Sequence, residues 1–101
     1  MHDEERIKIT PAIRAYSDDA HEKLDIEIEL PGVERKDIDL KIHNDSFYLA
    51  APRDNVLYVA NYATCCPIDP KKATAKYKNG LLRIEVPFLE IKEKHIKVEV
   101  K

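Results

Sequence analysis

The chain has 101 residues, 44% of them apolar, and its 17 Lys and Arg are balanced by 19 Asp and Glu for a formal net charge of −2. That length supports one domain with a modest core, and acidic and basic residues so evenly mixed offer no block of charge for nucleic acid or an anionic membrane. No apolar stretch approaches the roughly 20 residues of a membrane span, and with glycine only at positions 32 and 80 no phosphate-cradling loop is available.

The opening Met1-His2-Asp3-Glu4-Glu5 is acidic, without the apolar centre of a signal peptide. Cys65 and Cys66 do not make a secreted disulfide framework. The expected compartment is therefore cytoplasmic. Residues 1–10 are polar apart from Ile7 and Ile9, which predict a short edge strand or a frayed extension. Ala12 to Tyr16 predicts a second edge strand, and Ser17 to Lys23 is a turn by composition. Leu24, Ile26, Ile28 and Leu30 then alternate strictly with Asp25, Glu27 and Glu29, so this is a half-buried strand. Its three carboxylates are spaced about 7 Å apart in a line, which suits a solvated face better than a metal or acid site.

Pro31-Gly32 turns the chain, and Ile38, Leu40 and Ile42 share one face of the next strand. Phe47 to Ala51 is another. Pro52 to Asn55 is a short connector, and Val56 to Cys65 is the longest strand candidate. Its alternation is poor, which predicts a bulge or cover on both faces. Pro67 to Lys72 is a rigid loop. Roughly eight strands, short turn intervals and no helical period predict an all-β antiparallel sandwich.

Asn79-Gly80 marks a tight hairpin, because a two-residue type I′ turn needs positive φ at both central positions. Ala73, Ala75 and Tyr77 share one face before it; Leu82, Ile84 and Val86 share one face after it. Pro87 ends the pairing, having no N–H to give. Beyond it, Ile96, Val98 and Val100 alternate with Lys97, Glu99 and Lys101.

Little here suggests catalysis. His2, His21, His43 and His95 are scattered and none pairs with a cysteine at zinc-ligand spacing. No glycine-containing nucleophile turn surrounds Cys65 or Cys66. Adjacent cysteines have Cα atoms about 3.8 Å apart, too close for an unstrained disulfide, and in a strand they point to opposite faces. The expectation is one buried and one more exposed thiol, with redox sensing or an intermolecular disulfide as the alternative. No enzyme, no cofactor and no metal are expected.

Two segments carry a resemblance. The hairpin, with Ala75, Asn79, Gly80, Leu81 and Leu82 followed by alternation to Pro87, resembles the signature hairpin of the alpha-crystallin domain of small heat-shock proteins. Leu30-Pro31-Gly32-Val33, followed by Asp37-Ile38, resembles that family's upstream segment. The resemblance spans about residues 11–87 and implies an immunoglobulin-like β-sandwich there, between an N-terminal extension (1–10) and a C-terminal extension (88–101). It implies an ATP-independent holdase that binds partly unfolded client proteins and self-associates as a dimer or larger. Its tail residues Ile96, Val98 and Val100 would dock in a groove lined by Ile38, Leu40 and Ile42 on one side and Leu82, Ile84 and Val86 on the other. Such docking works by strand addition, with backbone bonds giving generic affinity and alternate side chains filling pockets. The alternative is that Ile96 to Val100 is the last strand of its own domain. Two departures stand out. The connector at Pro52 to Asn55 is too short to hold the strand that many members exchange between subunits, and the long apolar N-terminal arm is nearly absent. The short connector also resembles the CS-domain co-chaperones, so an adaptor with one specific partner is the competing reading.

Overall fold

A computed structural model describes residues 6–18, 20, 22–89 and 98–101. The described residues form eight strands: β1 (Ile7–Ile9), β2 (Ile13–Ser17), β3 (Lys23–Glu29), β4 (Asp39–Ile42), β5 (Ser46–Arg53), β6 (Val56–Ala63), β7 (Thr74–Lys78) and β8 (Leu81–Pro87). Two short 3₁₀ turns, Arg35–Asp37 and Pro70–Lys72, are the only helical elements among them. The strands make two four-stranded sheets, ordered β1-β6-β5-β4 and β2-β3-β8-β7. All pairings are antiparallel except β1 with β6, which is parallel.

The core follows from period-two patterning. Leu24, Ile26, Ile28 and Leu30 from the β3 segment face Phe47, Leu49 and Ala51 of β5, and Leu82, Ile84 and Val86 of β8 complete the layer. Ile68, fully buried in the loop after β6, closes one end, where it forms a bridge to Phe88. β6 pairs with β5 in unbroken register from Arg53↔Val56 to Ser46↔Ala63, so the anticipated bulge is absent there. Its alternation is obscured because the outward Leu57 and Val59 are themselves half-buried. Pro52 and Arg53 belong to β5, so the connector shrinks to Asp54 and Asn55, with Asp54 at φ 51°.

One expectation about the outer face needs correction. Glu27 is not solvated: it is 8% exposed, although it points away from the core. In the β2-β3-β8 sheet it lies directly between Arg14 and Arg83, and both guanidinium groups reach its carboxylate, at 2.9 and 3.3 Å. The Tyr16 hydroxyl donates to the same carboxylate at 3.2 Å. That bond holds the Tyr16 phenol above its ordinary pKa, since ionisation would place an anion against Glu27.

Candidate functional site

The two signature segments of the sequence touch each other. Asn79 and Gly80 both have positive φ, 54° and 79°, as a type I′ turn requires. Gly80 also lies against Pro31: a Cβ there would stand 3.3 Å from the Pro31 Cα. The Leu30 amide donates to the Gly80 carbonyl at 2.7 Å. The Tyr77 hydroxyl lies 2.6 Å from the Leu30 carbonyl and 2.7 Å from that of Val33, so its single proton is shared between them. Gly32, at φ 82°, leaves the space that the Arg53 side chain fills, and Arg53 donates to the Pro31 carbonyl at 3.0 Å. The Pro31-Gly32 turn is thereby fixed to the root of the hairpin.

This junction stands at one end of a groove. β4 is an edge of the first sheet and β7 an edge of the second, and among the described residues neither has a strand on its outer side. Between them lies an open cavity of about 670 Å³, lined by Arg35, Ile38, Leu40, Ala75, Lys76, Tyr77, Lys78 and Leu82. Its floor is aliphatic and aromatic, while Arg35, Lys76 and Lys78 make its rim basic. Arg35 donates to the Tyr77 carbonyl at 3.3 Å and so occupies one acceptor of the β7 backbone.

The structure thus brings Ile38, Leu40 and Leu82 into one groove. It does not bring in Ile84 or Val86, which are 1% and 0% exposed and belong to the core. Ile42 is half-buried and packs against that core outside the groove lining. The wall opposite β4 is β7, through Ala75 and Tyr77, because β8 is the interior strand of its sheet and β7 covers its edge. The common face of Ala73, Ala75 and Tyr77 was the available signal; what sequence could not supply was which strand lies outermost. Arg35 and the two lysines carried no periodic signal at all.

Of the tail residues, Ile96 lies outside the described residues. Residues 98–101 have no regular structure, and Val98 and Val100 are 76% and 92% exposed. The cysteines also differ from expectation. They lie in a bend after β6 rather than in a strand, so the opposite-face geometry does not apply. Cys65 is exposed and Cys66 half-buried, both free, with Sγ atoms 3.0 Å apart. Among the described residues no group of three or more His, Cys, Asp and Glu is placed to hold a metal ion. No helix among them is long and apolar enough to cross a membrane.

A sandwich of this order is the alpha-crystallin fold, and solved structures share it. Heat shock protein 16.0 from Schizosaccharomyces pombe superposes with a TM-score of 0.73 at 18% identity, covering 91% of this chain and 77% of its own. HSP18.5 from E. histolytica gives 0.73 at 12% identity, over 91% and 99% of the two chains. A small heat-shock protein from Xylella fastidiosa, described as having a distinct high order structure, gives 0.69 at 16% identity, over 91% and 98%. A search of curated proteins returns no match. The chain matches the Hsp20/alpha crystallin family over residues 16–101 and belongs to it, a family of small heat-shock-type chaperones.

Proposed function

We propose that the protein is an ATP-independent holdase, in which the groove between β4 and β7 captures extended apolar segments. The observation that carries this reading is the groove itself: an apolar floor between two open strand edges, with Ile38, Leu40, Ala75, Tyr77 and Leu82 as its wall. An extended segment laid there gains backbone bonds from an edge and buries alternate side chains in the floor. At about 25 cal/mol per Å², burying two aliphatic side chains contributes a few kcal/mol. That suits reversible holding of partly unfolded chains.

At rest, the same groove holds Ile96 and Val98 from the C-terminal segment of a second copy, with Val100 continuing the alternation. Phe88 and Leu89 are tied back to Glu22 and Pro67. Six residues therefore separate the anchored Leu89 from Ile96, and an extended linker of that length reaches about 23 Å toward a neighbour. Capture of a client then competes with the tail. The Ile96→Ala, Val98→Ala double variant is expected to lower assembly size and to change protection of a heat-labile client, read by light scattering. Unchanged size together with unchanged protection would remove the tail from the mechanism.

One observation favours the competing adaptor reading: the two-residue connection between β5 and β6 leaves no exchanged strand. An adaptor would bring down one stoichiometric partner and leave unrelated proteins to aggregate.

A further inference from the structure

Thr64, Cys65 and Cys66 form the bend by which the chain leaves β6 for the opposite sheet. The Thr64 amide donates to the Asp45 carbonyl at 2.9 Å, and the Thr64 hydroxyl donates to the Cys66 carbonyl at 2.8 Å. These bonds hold the bend so that both sulfur atoms lie together, 3.0 Å apart. The separation is about 1 Å more than an S–S bond of ~2.05 Å. Cys65 is exposed, and no part of the holdase mechanism uses either thiol.

We propose that Cys65 and Cys66 are a modification site, a vicinal dithiol that closes reversibly to an intrachain disulfide when a small oxidised disulfide or a peroxide reaches it. With a small disulfide as oxidant, the exposed Cys65 thiolate attacks one of its sulfurs and expels the other as a thiolate, leaving a mixed disulfide on Cys65. Cys66 gives its proton to water and its sulfur attacks Cys65 Sγ, expelling the second small molecule as a thiolate. The two thiolates released take up from water the protons that Cys65 and Cys66 gave up. Two protein thiols are oxidised, and one small disulfide is reduced to two thiols. With a peroxide, Cys65 takes one oxygen as sulfenic acid and Cys66 displaces it as water. Hydrogen bonding with Cys65 holds the Cys66 thiol above the usual cysteine range, which suits a resolving thiol that stays protonated until its neighbour carries the adduct.

The bond so formed is labile. Neighbouring Cα atoms lie about 3.8 Å apart, closer than the 4.4–6.8 Å usual for a disulfide, and strained, exposed disulfides are the readily reduced ones. The strain falls on a particular place. Pro67, next in the chain, accepts from the Leu89 amide at 2.9 Å; Ile68 bridges Phe88; and the Asp69 amide donates to the Pro87 carbonyl at 2.9 Å. The dithiol thus sits beside the anchor from which the C-terminal segment departs, and closing it loosens that anchor.

The test uses the full chain, reduced and then exposed to oxidised glutathione or hydrogen peroxide, and it needs no tail docking to succeed. Intact mass is expected to show the loss of two hydrogen atoms per chain, mapped to the fragment holding both cysteines and reversed by dithiothreitol. The Leu89 amide is expected to exchange its hydrogen several-fold faster in the oxidised form. Cys66→Ser is expected to stop at a stable glutathione adduct on Cys65. Disulfide-linked dimers, a persistent adduct on the unaltered chain, or unreacted thiols would overturn the site. Unchanged exchange at Leu89 would overturn its link to the tail.

Discussion

Ala75→Arg is expected to leave the fold intact while abolishing assembly through the groove. Ala75 lies on edge strand β7, opposite Ile84 in register and therefore facing inward, yet its side chain is exposed because β4 does not close over it. No core contact is removed by the change. What is added is a fourth cation in a groove already rimmed by Arg35, Lys76 and Lys78. An aliphatic side chain entering the groove would then have to strip water from a guanidinium, and among the described residues lining the groove there is no anion to pair with it. Burying such a charge without a partner costs several kcal/mol, comparable with everything two docked aliphatic side chains contribute. The thermal midpoint should move by less than about 5 °C, as is usual for an exposed position. Assembly size, measured by light scattering, should fall to that of the smallest species. A variant that folds and still assembles would place the binding surface elsewhere.

Phe47→Ala is expected to produce the opposite pattern, a large loss of stability that function follows. Phe47 is fully buried, and its ring stacks on Tyr62 with centroids 5.3 Å apart. Removing a buried aromatic ring costs about 3–5 kcal/mol through lost transfer energy and the cavity left behind. Domains of this size have total stabilities of about 5–15 kcal/mol. Each kcal/mol corresponds to about 4–8 °C for a small domain, so the thermal midpoint should drop by about 15 °C or more in a circular-dichroism melt. A drop of under 5 °C would mean that the two sheets do not pack around Phe47 as described.

The strands were legible in sequence because each buries one face, and a period of two leaves little choice about which. Leu24 to Leu30 and Leu82 to Val86 show this most plainly, and the Asn79-Gly80 turn fixes how the second of them meets β7. What was not legible lies in relations between strands. Period two assigns Ile84 and Val86 to an apolar face but cannot say that the opposite sheet buries them in the core while β7 takes the open edge beside the groove. Glu27 looks like any outward carboxylate until Arg14 and Arg83 flank it from strands far apart in the chain. The parallel pairing of β1 with β6 is equally a matter of topology. The two cysteines were misplaced for a local reason: β6 stops at Ala63, and a bend, unlike a strand, can turn neighbouring side chains to the same side. The contact between Gly80 and Pro31 gives a physical reason for the two signature segments to occur together, since each supplies the space or the carbonyls that the other needs.

The central claim is that this sandwich holds unfolding proteins without nucleotide. The most direct test is light scattering of the chain across a dilution and temperature series, alone and mixed with a heat-labile client, with no ATP present. The expected result is an assembly larger than a dimer that shrinks on dilution and keeps the heated client from scattering. A monomer or dimer that leaves the client to aggregate would contradict the holdase and turn the same groove over to a single dedicated partner.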